Sequence, residues 1–130
     1  MTRTVHLGKP AAGERSAYES VLEAQQSAVA AVTAGASCGE VDEAARSVLR
    51  KAGFEEAFSH STGHGVGLEI HEPPRIGAKQ TTRLQAGMVV TIEPGINLPG
   101  RFGIRIEDMV AVTRNGAQVL TPAPKALIEL

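Results

Sequence analysis

Glycine and proline divide this chain in two: 15 of its 21 Gly and Pro residues fall within residues 61–130. Helix interiors tolerate neither residue, whereas the turns between strands are built from both. The pattern predicts helices in the first half and turn-punctuated strands in the second. With 130 residues, 42% of them hydrophobic, the chain is long enough for one globular domain of the α+β class.

From Glu14 to Val32, the residues Tyr18, Val21, Leu22, Ala28, Val29 and Val32 recur at helical spacing in a run rich in Ala, Glu and Gln. This predicts a long amphipathic helix. Gly35 stops it, and Ser37 with Glu40 three residues on has the spacing of a capping box. Val41, Ala44, Ala45, Val48, Leu49 and Ala52 then make one apolar face, and Gly53 sits where a C-terminal cap belongs. The two helices are expected to pack antiparallel. Downstream, Met88–Glu93 and Ile104–Thr113 are β-branched runs bounded by Gly, Pro and Asn, and are predicted as strands able to pair as a ribbon. Pro94-Gly95, Pro99-Gly100 and Asn115-Gly116 mark turns, and Met1–Leu7 reads as a short strand.

Charge and composition narrow the partners. With 13 Lys+Arg against 14 Asp+Glu, the formal net charge is −1. Only four aromatics are present, Tyr18, Phe54, Phe58 and Phe102. Neither feature suits a nucleic-acid binder, which carries a basic stripe and stacking platforms. No apolar run approaches the ~18 residues that span a bilayer, and residues 1–30 lack the apolar core of a secretory signal. A cytoplasmic location is expected. Cys38 is the single cysteine, so it forms no internal disulfide, and any metal must be held by His and carboxylates.

Three of the four histidines, His60, His64 and His71, lie within twelve residues of one another. Gly63, Gly65 and Gly67 make a helix there improbable, so the segment is extended or looped. In an extended strand His60 and His64 share a face about 13 Å apart, too far to bind one ion together. At most one is expected to be a ligand, with the other pointing into the same cleft. Glu93 ends an apolar strand just before Pro94, and Glu107 lies in the second strand with Arg105 on its face and Ile104, Ile106 and Asp108 on the other. Carboxylates in apolar strands are costly unless paired or bound to a cation. Taken singly, Glu93 could mark a solvated strand end and Glu107 could pair with Arg105. Together with a histidine they make a donor set suited to Mn, Co, Zn or Fe.

These residues resemble the pita-bread metallopeptidases of family M24, which include the methionine aminopeptidases and the proline-specific peptidases. Gly63-His-Gly-Val-Gly67 is similar to the segment bearing the family's histidine ligand, here His64. Thr91-Ile-Glu-Pro-Gly95 and Arg105-Ile-Glu-Asp108 are similar to those bearing its glutamate ligands, here Glu93 and Glu107, the second of them bridging. His71, in Leu68-Glu-Ile-His-Glu-Pro-Pro74, matches the non-ligand histidine that contacts substrate. His60, the Glu72-Pro-Pro74 ending and Arg105 resemble the Xaa-Pro dipeptidase and aminopeptidase branch.

The resemblance implies two helices packed on an antiparallel curved sheet, and two divalent ions that activate a water to attack the bond preceding proline in a dipeptide or peptide. Glu93 is then the group that moves the water's proton. His71 and His60 stabilise the oxyanion and orient substrate, and Arg105 orients Glu107 or a substrate carboxylate. Residues 1–130 match only the second, larger part of the family's catalytic domain. Two further aspartate ligands belong on a ribbon upstream, and this chain starts just after the position of the second. Two ions bring +4 against the −2 of Glu93 and Glu107 together. Asp42, in the second helix, and Asp108, facing away from Glu107, do not replace the missing pair. The expectation is a truncated domain, inactive alone, with an exposed sheet edge that favours a homodimer or a complementing chain. A silent pita-bread module that binds peptides or a partner protein is the alternative.

Overall fold

The computed structural model describes residues 1–130. Its elements run β1 (Val5–His6), α1 (Ala12–Ala31), α2 (Cys38–Lys51), β2 (Gly63–Gly65), β3 (Glu72–Ile76), β4 (Val89–Ile92), β5 (Gly95–Leu98), β6 (Phe102–Arg105), β7 (Asp108–Thr113), β8 (Gly116–Val119) and β9 (Ile128–Glu129). Local chemistry sets the helix ends as predicted. The Ser37 hydroxyl accepts from the Glu40 N–H at 3.2 Å, and the Glu40 carboxylate accepts from the Ser37 N–H at 2.7 Å. Gly53 follows α2 at φ +81°, a left-handed conformation that only glycine adopts without penalty. Loss of the cap in Ser37→Ala is expected to cost about 1 kcal/mol, read as a lowered midpoint in thermal unfolding. At the start of α1 the side-chain cap is missing from Ala11, but the Glu14 carboxylate accepts the Ala11 N–H at 2.7 Å.

Five strands form an antiparallel sheet in the order β3-β2-β4-β7-β8. Both helices contribute to one core: Val21, Ala24 and Ala28 from α1 and Val41, Ala45 and Leu49 from α2 meet Val90, Ile92, Val110 and Val112 from the sheet. Alternation along β7, where Asp108, Val110 and Val112 are buried and Met109, Ala111 and Thr113 are not, assigns one sheet face to the helices. The opposite face carries Thr91 and leads to Glu93. No helix is long and apolar enough to cross a membrane.

The expected strand Ile104–Thr113 is broken in the structure. β4 pairs with β7 as far as Ile92 opposite Asp108, and β5 pairs with β6 from Gly95 opposite Arg105. Between the two ladders the chain creases at Glu93-Pro94 and Ile106-Glu107, and the register carried across sets Glu93 opposite Glu107. The backbone of Glu107 pairs with Thr2 instead, its N–H donating to the Thr2 carbonyl at 3.0 Å. The expected N-terminal strand is correspondingly short. Only Val5–His6 is strand, and it pairs in parallel with β9 near the other end of the chain.

A buried carboxylate ties these distant parts together. Asp108, fully shielded from solvent, accepts from Arg3 at 2.7 Å, Lys125 at 2.5 Å, Gln25 at 2.9 Å and Thr121 at 3.1 Å. The N-terminal segment, α1, β7 and the C-terminal tail thus converge on one side chain. Gln25, equally buried, is satisfied on its other side by Lys125 at 3.0 Å.

Candidate active site

The crease between the ladders is where the sequence-predicted residues gather. β2 lies beside β4, with Gly65 opposite Val90, and this neighbourhood brings His64 to Glu93. A methyl group on Gly63 would stand 1.8 Å from the Thr91 carbonyl oxygen, so only glycine permits this approach of β2. The Thr91 hydroxyl, almost fully buried, accepts the His64 N–H and donates to Glu93 Oε1, each at 3.0 Å. The Glu93 N–H donates to the Thr62 carbonyl at 2.7 Å.

The hydrogen bonds fix the imidazole tautomers. His64 Nδ1 lies 2.8 Å from the Gly65 carbonyl, which can only accept, so Nδ1 carries the proton. Its Nε2 then faces Glu93 Oε1 at 3.1 Å. Two acceptors at that distance call for a proton or a cation between them. His60 is arranged likewise: Nδ1 donates to the Ser61 carbonyl at 2.8 Å, and Nε2 accepts from Arg105 Nη2 at 3.2 Å. Burial pushes the His60 imidazole below its ordinary pKa, and the Arg105 and Arg46 charges push the same way, against the Ser61 carbonyl and Glu93. His71 is exposed, its ring edge-on to that of His64 with centroids 4.7 Å apart. Both rings line a cleft of about 690 Å³ with Pro73, Pro74 and Met88.

One expectation needs correction, and one expected ligand stands apart from the others. Arg105, expected beside Glu107, reaches Glu93 Oε2 at 3.6 Å and His60 instead, because β6 ends at Arg105 and no common strand face with Glu107 exists. Glu107 does not join His64 and Glu93 in a group of three ligands. Its Oε2 is turned to the Thr2 hydroxyl at 2.5 Å and the Met1 ammonium at 3.4 Å. No three His, Cys, Asp or Glu side chains converge on one point anywhere in the structure. The tautomer of His64 and the facing carboxylate fit one edge of a cation site. The residues of this chain by themselves do not fit a centre of two ions.

Several contributors escaped the sequence reading. The Thr2 and Thr91 hydroxyls each bond a predicted ligand, and neither they nor the Asp42–Arg46 pair is assigned a role by the sequence pattern. Thr91 stands two residues before Glu93 on the same strand face, the spacing that marks it as a neighbour of that carboxylate.

The model of metallopeptidase family M24 matches residues 1–114. The chain is 49% identical over 128 residues to the Xaa-Pro dipeptidase of Pyrococcus furiosus, covering 98% of this chain and 37% of that protein. Among solved structures, the Xaa-Pro dipeptidase from Bacillus anthracis superposes with a TM-score of 0.96 at 46% identity, over 98% of this chain and 36% of that one. Dipeptidase PepE from Mycobacterium ulcerans superposes with a TM-score of 0.95 at 47% identity, over 98% and 34%. The chain thus spans about a third of the length of the relatives it matches. Two helices on an antiparallel sheet with this topology are part of the pita-bread fold. On the match of the family model and the agreement of the whole architecture, the chain belongs to metallopeptidase family M24.

Proposed function

We propose that these 130 residues are the C-terminal part of a catalytic domain that hydrolyses the peptide bond preceding proline, with a proline-containing dipeptide or peptide as substrate. The observation that carries this reading is the pairing of His64 Nε2 with Glu93 Oε1 at 3.1 Å beside His71 and an open cleft. In the proposal His64, Glu93 and Glu107 contribute to a divalent-metal centre, Mn, Co, Zn or Fe, completed by carboxylates from outside these residues. Such ions, when bound, lower the pKa of a water and polarise a carbonyl.

The chain's own groups do the rest. Glu93, held by Thr91 and the Thr62 carbonyl, takes and delivers a proton at Oε2, the oxygen not engaged by His64. Arg105 Nη1 lies 3.6 Å from that oxygen and orients the carboxylate. His71, at the mouth of the cleft, is the donor for the developing oxyanion, and His60, held by the Ser61 carbonyl and Arg105, orients the substrate.

The test is hydrolysis of an Xaa-Pro dipeptide with added Mn or Co, using this chain mixed with a segment that carries the family's two upstream aspartates. Turnover is expected in the mixture. Glu93→Gln, which removes the proton acceptor, is expected to lower kcat about 10²–10⁴-fold. His64→Ala is expected to lose turnover and metal together. The failure of three ligands to converge within this chain favours a second reading, a silent module that binds peptides. Peptide binding without turnover in the mixture would select it.

A further inference from the structure

We propose that Asp42 and Arg46, on the α2 side of the sheet, are the positioning residues of the candidate site, holding His60 and Glu93 in place without touching substrate. The inference rests on the peptidase reading for its catalytic consequence. Its structural basis is independent.

Asp42 and Arg46 stand one turn apart on α2 and pair through both ends: Arg46 Nε to Asp42 Oδ2 at 2.9 Å and Arg46 Nη2 to Asp42 Oδ1 at 3.0 Å. An exposed pair at this spacing contributes little to stability. This one is not exposed. Asp42 is 1% accessible in its side chain and Arg46 17%, and each spends its remaining bonding capacity on the chain leading into β2. Arg46 donates to the Phe58 carbonyl at 3.0 Å and the His60 carbonyl at 3.1 Å, with its guanidinium 4.2 Å over the Phe58 ring. Asp42 Oδ1 accepts from the Thr62 hydroxyl at 2.8 Å and the Thr62 N–H at 3.3 Å. Residues 58, 60 and 62 are therefore all fastened to α2.

Those three points of attachment lead directly to the site. The Phe58 ring packs edge-on against the His60 ring, centroids 4.9 Å apart. The Thr62 carbonyl receives the Glu93 N–H. A helix surface pair needs none of these partners, and a guanidinium is the side chain able to supply four donors in one plane.

Arg46→Lys keeps the charge and loses the fork. In the 130-residue chain, hydrogen exchange and imidazole NMR read the result. The Glu93 amide is expected to exchange about 10–100-fold faster, as for loss of charge-assisted bonds, and the His60 ring signals are expected to move, while β7 and β8 amides keep their protection. Val112→Ala, a core cavity far from α2's polar face, supplies the comparison for general destabilisation. Asp42→Asn is the second variant and is expected to give the same selective pattern. A uniform loss like that of Val112→Ala, no change at Glu93 and His60, or failure of both variants to fold would overturn the proposal. In the complemented enzyme, Arg46→Lys is expected to lower kcat about 10-fold with KM little changed, the signature of misplaced groups. Equal changes in kcat and KM would reject a positioning role. Absence of turnover in the unmutated mixture would count against the peptidase reading, with the exchange result still deciding the positioning one.

Discussion

Asp108→Ala is expected to destabilise the fold by about 3–5 kcal/mol, the range for removing one partner of a buried ion pair. The carboxylate is wholly buried and is the common acceptor for Arg3, Lys125, Gln25 and Thr121. Its removal leaves two cations and a buried amide without their acceptor. Urea unfolding of wild type and variant measures the loss directly, and a difference under 1 kcal/mol would mean that the cluster is solvated. Burial alone raises the Asp108 pKa, but the Lys125 and Arg3 bonds outweigh it and hold the carboxyl below its ordinary 3.8. With a folded-state value below the unfolded one, its stabilisation is fully present above the ordinary value. It is lost as pH falls from there through the depressed value. The alanine variant is expected to lack that acid-induced loss. Because Arg3 also donates to the Glu107 carbonyl at 2.6 Å, the variant is expected to free the Thr2–Glu107 contact as well.

Gly63→Ala is expected to be the most damaging single-methyl change in the chain, costing about 3 kcal/mol or more, the upper end for inserting volume where nothing can yield. The added carbon would meet the Thr91 carbonyl oxygen at 1.8 Å, a backbone atom of the central strand β4. The strand must move away, and both His64 and Glu93 hang on it through Thr91. Thermal unfolding checks the stability. The His64 ring signals, expected to shift further than those of His60, check the displacement of the site. Alanine at Gly103 is the contrast, since its nearest neighbour would be an ordinary contact at 3.5 Å with the end of the Asn97 side chain.

What could be read from the sequence was whatever is decided within a few residues. The capping box at Ser37 and Glu40, the stop at Gly53, the apolar stripe of α2 and a strand within Met88–Glu93 all appear as the sequence predicts. His64 lies beside both Glu93 and His71. The rest depended on partners far along the chain. Ile104–Thr113 reads as one strand because nothing local shows that Thr2, more than a hundred residues away, takes the backbone of Glu107. Once that strand breaks, Arg105 turns to Glu93 and His60. Asp108, set aside for facing away from Glu107, is the anchor of the termini. The cost of burying a carboxylate in an apolar strand was the available clue that it must have cationic partners. Asp42 and Arg46 carried no such clue, because an i, i+4 pair in a helix is ordinarily solvated.

Under the proposed function, His64, Glu93 and Glu107 are one part of a metal-ligand set completed by carboxylates from outside these residues. Titration of Mn into the 130-residue chain, alone and mixed with the aspartate-bearing segment, tests it most directly. No stoichiometric uptake of two ions is expected for the chain alone, and two ions per complex are expected in the mixture, lost in His64→Ala. Two ions bound tightly by these 130 residues alone, or none bound by the mixture, would contradict it.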